Sequence, residues 1–166
     1  MRLVGAQLRT GFRDVGRQNR ASTSRTYTLT GGLSDLPRKL DPNGAALVAE
    51  VAGYLERGEE PPQGVLRPAV RHLLFTLEAA VPGRSVEVRV PPVAAVQCVE
   101  GPRHTRGTPP NVIETDPLTW FRLATGLLGW DDAVKSGAVR ASGARADLSA
   151  YLPLPESAVL RVGFLH

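Results

Sequence analysis

The stretch "QCVEGPRHTRGTPPNVIETDP", residues 97–117, gathers the side chains of this sequence best suited to chemistry. It holds the single cysteine, Cys98, with His104 six positions further on, and Arg103, Arg106, Glu100, Glu114 and Asp116 around them. Three readings fit such a set. A Cys98 thiolate activated by His104 would be a nucleophile, provided that the base lies within reach and a cation or helix N-terminus depresses the thiol pKa. Arg103, His104 and Arg106 would alternatively hold an anionic head group or phosphate through charge-assisted hydrogen bonds, with Thr105, Gly107 and Thr108 as compact donors. The third reading needs no ligand. Gly and Pro shape a solvated loop, Cys98 shares an apolar strand face with Val96, and Asp116 caps a helix.

Other chemistries find little support. One cysteine and the scattered His72, His104 and His166 lack the paired spacing of a structural zinc site, so no metal is expected. No serine sits in a G-x-S-x-G elbow, and there is neither a P-loop nor a dinucleotide fingerprint. No cofactor and no catalytic residue set is expected.

The elements that must position this stretch follow from hydrophobic periodicity. "LDPNGAALVAEVAGYLERGEEPP" reads as a helix capped by Asp41, with Leu47, Val51, Tyr54 and Leu55 on one face. "GVLRPAVRHLLFTLEAAVPG" is a second amphipathic helix, its face drawn by Leu66, Val70, Leu73, Leu77 and Val81 and widened by Leu74 and Phe75. Val86, Val88 and Val90 alternate with Glu87 and Arg89 as in a half-buried strand. Pro91-Pro92 interrupts it and suits a sheet edge or a crossover, since neither residue can donate to a ladder. Residues 93–99 and "NVIET" supply two more strands.

Asp116-Pro117 then opens a helix with Trp120, Leu123, Ala124 and Leu127 on one face, ended by Gly126. Asp131 caps a short helix closed by Gly137, "AVRASG" is a strand, and "ARADLSAYL" predicts a final helix. The order is α-α-β-β-β-α-α-β-α, an α+β fold with helices packed on a mainly antiparallel sheet.

Charge and composition bound the rest. Residues 1–40 carry eight Arg/Lys and two Asp/Glu, a balance of +6, whereas 41–166 carry twelve and fourteen, a balance of −2. The basicity therefore belongs to the leading segment. The body lacks the basic face with aromatics or the motif that nucleic-acid recognition uses, so no specific nucleic-acid partner is expected. The bias of 18 Arg to 2 Lys fits a GC-rich coding pool. Residues 1–40 read as a flexible basic tail, a start codon assigned too far upstream, or a targeting or polyanion-binding arm. Residues 155–166 read as a tail or an extra strand. With no apolar run of membrane-spanning length, no secretory signal pattern and one cysteine, the expected location is the cytoplasm.

The closing half, "IETDPLTWFRLATGLLGWDDAVKSGAVRASGARADLSAYL", resembles the sterol carrier (SCP2-like) family, and "VPPVAAVQCVEGPRHTRGTPPNVIETDPLTW" is similar to its compact bacterial branch. Thr115-Asp116-Pro117, Leu123 with Gly126, Ala133, Gly137 and Val139 carry the resemblance best. Gly143 matches too, although "ARAD" follows it where an acidic residue commonly comes at once. The likeness extends over roughly residues 41–154. It implies an apolar cavity between sheet and helices that shelters a lipid-like small molecule. Leu73, Leu74, Phe75, Leu77, Trp120, Phe121 and Leu127 are the candidate walls, with Arg103, His104 and Arg106 as candidate contacts to a polar head group. The leading expectation is a non-catalytic binding module. The alternatives are an accessory domain beside a thiol-dependent isomerase or transferase, which the resemblance also implies, and a small thiol or acid–base enzyme built on residues 97–117.

Overall fold

The computed structural model describes residues 40–101 and 111–155, all within the unit Pro37–His166. The basic leading segment, the Arg103–His104–Arg106 loop and the tail beyond residue 155 lie outside the described residues. Eight elements follow in order: α1 (Gly44–Glu56), α2 (Gln63–Ala80), β1 (Val86–Val90), β2 (Ala94–Cys98), β3 (Val112–Thr115), α3 (Pro117–Thr125), α4 (Trp130–Lys135) and β4 (Val139–Ser142). The fold is α+β, as the periodicity implied.

The strands form one sheet in the order β2-β1-β3-β4. β1 and β2 pair antiparallel with Val88 opposite Val96, and the chain turns at Pro91-Pro92-Val93, where the Val93 N–H donates to the Val90 carbonyl at 2.8 Å. The two prolines thus make a tight hairpin rather than a crossover, and they deliver β2 to the sheet edge. β3 runs parallel to β1 with Ile113 beside Val88, and β4 returns antiparallel with Val139 opposite Thr115. The period of two therefore places Val86, Val88, Val90, Val96, Cys98 and Ile113 on one buried face.

Helices cover that face. α2 buries Leu66, Ala69, Val70, Leu73, Leu74 and Leu77, and α3 buries Trp120, Phe121, Leu123 and Ala124. α1 packs on α2 with a buried face of Gly44, Val48, Val51 and Ala52. Tyr54 lies off that face, its ring beneath the Arg57 guanidinium at 4.9 Å. Gly44 meets the imidazole of His72 so closely that a Cβ there would fall 1.9 Å from Nδ1.

Three local expectations are corrected. α1 starts at Gly44 with Asn43 at its cap position, because the Asp41 carboxylate accepts the Asn43 N–H at 2.8 Å and closes a turn ahead of the helix. α4 starts from Gly129, which leaves Asp131 and Asp132 in its first turn, where they complement the helix dipole without capping. The segment expected to form a last helix is a run of turns over 143–151, from the positive-φ Gly143 onward.

Hydrogen bonds from side chains explain that last departure. The Asn111 Oδ1 accepts the Arg145 N–H at 2.9 Å while its Nδ2 donates to the Ser85 carbonyl at 2.7 Å. The Asp147 carboxylate accepts the Ser149 N–H at 2.8 Å. These bonds compete with a helical ladder, and Ala146, Leu148 and Leu154 are buried instead along turns and irregular chain. Asn111→Ala is accordingly expected to lower stability by about 2–3 kcal/mol through the two abandoned backbone partners. Urea unfolding of both proteins measures it, and a loss under ~0.5 kcal/mol would show that Asn111 does not pin the segment.

Candidate functional site

The candidate wall residues divide cleanly. Leu73, Leu74 and Leu77 on α2 and Trp120 and Phe121 on α3 are fully buried, and all five belong to one apolar cluster where α2 packs against α3. Phe75, a helical step away from Leu74, is only partly buried and packs at the edge of that cluster. Leu127 does not join them. Gly126 ends α3 in the left-handed region at φ 76°, and the next residue leaves the helical face with 40% of its surface exposed. Leu128, one position later, packs against the core in its place.

Two open grooves lie at the surface of the described residues. The larger, about 490 Å³, lies between the end of α3, α4 and the turn at Leu152-Pro153. Leu123, Leu128, Trp130 and Leu152 give it an apolar wall, while Asp131, Asp132 and Lys135 add polar lining. Leu123, buried on the α3 face that also carries Trp120, forms part of the floor of this groove. The smaller groove, about 370 Å³, runs from Val99 and Glu100 to Arg145 and Tyr151. None of the seven candidate wall residues lines either one. Trp130 and Leu128 were not legible as site residues, although the string "GLLGW" concentrates apolar bulk between two helices.

The titratable groups of the 97–117 stretch behave structurally where they are described. Cys98 is buried on the inner face of β2, opposite Val86. Burial, and then the negative charge of Glu78, push its thiol up to about 12. A thiol in that condition is protonated at neutral pH and is a poor nucleophile. Asp116 is the N-cap of α3, accepting the Leu118 and Thr119 N–H groups at 3.0 Å each, with the Thr119 hydroxyl donating to its second oxygen. Burial pushes the Asp116 carboxyl up, but the Thr119 hydroxyl and the two N–H donors outweigh it and leave the pKa below the usual value. Glu114 lies 3.9 Å from Arg140 across the β3–β4 pair. Among the described residues no three His, Cys, Asp or Glu side chains cluster as a metal site. Arg103, His104 and Arg106 fall outside the described residues.

A family model described as bacterial SCP ortholog matches residues 62–154. The chain belongs to this sterol-carrier-like family. The match begins just ahead of α2 and ends with the turns after β4, so it takes in the whole sheet, α3 and α4. No curated protein matches the chain. No helix among the described residues is long and apolar enough to cross a membrane.

Proposed function

We propose that this protein is a non-catalytic module that binds an apolar or amphiphilic, lipid-like small molecule in the interior between α2 and α3. Leu73, Leu74, Leu77, Trp120 and Phe121 form its walls, Phe75 flanks them, and the groove at Leu123 and Trp130 is the way in. Leu127 stands at the surface near the groove rather than inside. The reading extends the module to residues 41–154, because α1 covers the outer side of α2 and completes the same core.

The observation that carries the reading is membership of the sterol-carrier-like family, with five of the candidate walls gathered in one buried apolar cluster between α2 and α3. Burial of apolar area yields roughly 25 cal/mol per Å², so a ligand contacting such walls binds with few polar contacts. A nucleophilic role for Cys98 fits poorly with a thiol pushed up to about 12. For Arg103, His104 and Arg106 we keep the role of contacts to a polar head group.

Native mass spectrometry of the protein purified from its source cells tests the proposal. The expected spectrum contains a co-purifying species of a few hundred daltons that organic solvent extracts. A clean apo mass, together with no uptake of any apolar probe, would overturn it.

A further inference from the structure

We infer that the indole N–H of Trp120 is the polar anchor of the interior site and that the ligand it holds presents a neutral acceptor oxygen: an ester or ketone carbonyl, or a hydroxyl. This inference rests on the binding reading above. Trp120 is fully buried on α3, and its Nε1 has no acceptor among the described residues. Buried donors in folded proteins are nearly always paired, because abandoning one costs about 1–3 kcal/mol. Something with an acceptor therefore belongs at this atom.

The surroundings decide which acceptor. Thr119, next to Trp120 in sequence, donates to the Asp116 carboxylate, Thr125 to the Phe121 carbonyl and Thr76 to the His72 carbonyl, and none of these hydroxyl oxygens receives the indole N–H. His72 lies against Gly44 and so faces α1. A trapped water needs two to four polar partners, and the one buried donor left without an acceptor on α3 offers a single one. A molecule with an apolar body and one acceptor has no such requirement. A carboxylate fits worse, since no Arg or Lys is among the buried described residues and an unpaired buried charge is heavily penalised. At the Trp120 indole itself, a neutral acceptor oxygen therefore fits better than a carboxylate.

The test uses the full chain, labelled with nitrogen-15, and four probes of equal chain length: methyl laurate, dodecanol, dodecane and laurate. A Trp130→Phe variant assigns the two indole resonances. Methyl laurate and dodecanol are expected to move the Trp120 Nε1–H signal downfield and to bind roughly tenfold more tightly than dodecane, the worth of one hydrogen bond. Laurate at neutral pH is expected to bind more weakly than its methyl ester. In Trp120→Phe the ester should fall to the affinity of the alkane. Should that variant not fold, the resonance of the unmodified protein decides the matter. If all four probes bind equally with the Trp120 signal unmoved, the anchor is overturned while the carrier reading stands. The anchor also falls if that signal is already shifted downfield in the free protein and ignores every probe. If no probe binds at all, both readings fail together.

Discussion

Gly83→Ala is expected to destabilise the protein by about 3 kcal/mol or more, lowering its melting midpoint by roughly 10 °C. A Cβ at position 83 would lie 2.0 Å from the Val99 carbonyl oxygen and 2.4 Å from the Glu100 nitrogen. Both are backbone atoms, and neither can retreat. The Val99 N–H donates to the Val81 carbonyl at 2.9 Å. The Val99 carbonyl accepts the Ser85 N–H at 3.1 Å and the Ser85 hydroxyl at 2.9 Å. These bonds hold Val99 at φ 64°, a left-handed conformation that costs a β-branched residue about 1–2 kcal/mol. The chain leaving α2 and the chain leaving β2 are therefore locked through one carbonyl. Gly64→Ala is the control. A Cβ there meets nothing within 4 Å, and alanine at this exposed helical site is expected to add about 0.5–1 kcal/mol. Thermal melts that place Gly83→Ala within a degree or two of the parent would show that no such lock exists.

Cys98 gives the second large effect. With its thiol pushed up to about 12 from an ordinary 9.0, the thiolate fraction at pH 8 is roughly 1,000-fold lower than in the unfolded chain. Alkylation by iodoacetamide should slow by at least that factor in the native protein and recover in urea. Stability follows the same linkage. The folded pKa is raised, so the unfolded state loses its proton first. The contribution of Cys98 is fully present below pH 9 and is lost as pH rises toward 12, at about 1.4 kcal/mol per pH unit within that window. Urea midpoints of the parent and of Cys98→Ala, compared from pH 8 to the alkaline limit, isolate this slope from other ionisations. Parallel curves and rapid native labelling would place Cys98 at an accessible, polar position. That result would reopen the thiol-enzyme reading.

The pattern of success along the chain has a physical basis. Val86, Val88 and Val90 were legible as a strand because side-chain alternation is a property of consecutive residues. Asp116 was legible as a cap, and Gly126 and Gly137 as helix ends at positive φ, because these motifs close within one helical turn. Asp41 carries the same Asp-Pro signal as Asp116, yet its carboxylate closes a turn before α1. Glycine at position 44 lets the start of α1 approach His72, a contact that lies 28 residues away and leaves no local trace. The last expected helix was lost to Asn111, which captures the Arg145 N–H from 34 positions upstream.

The candidate site shows the same division. The resemblance, laid over the apolar stripes of α2 and α3, named residues 73, 74, 77, 120 and 121, and a stripe identifies a buried face without revealing which neighbour it meets. Leu127 lies off the α3 face because Gly126 ends the helix one residue before it. By itself the sequence determined the fold class, most of the elements, the family and the apolar stripes, since each arises from short-range periodicity, capping or turn chemistry. Only the tertiary structure decided that Cys98 faces the core, that Val99 is locked against Gly83, and that the Trp120 indole is buried without a partner among the described residues. Those facts depend on which distant backbone and side-chain atoms meet, and the pairing of elements far apart in the chain fixes that meeting.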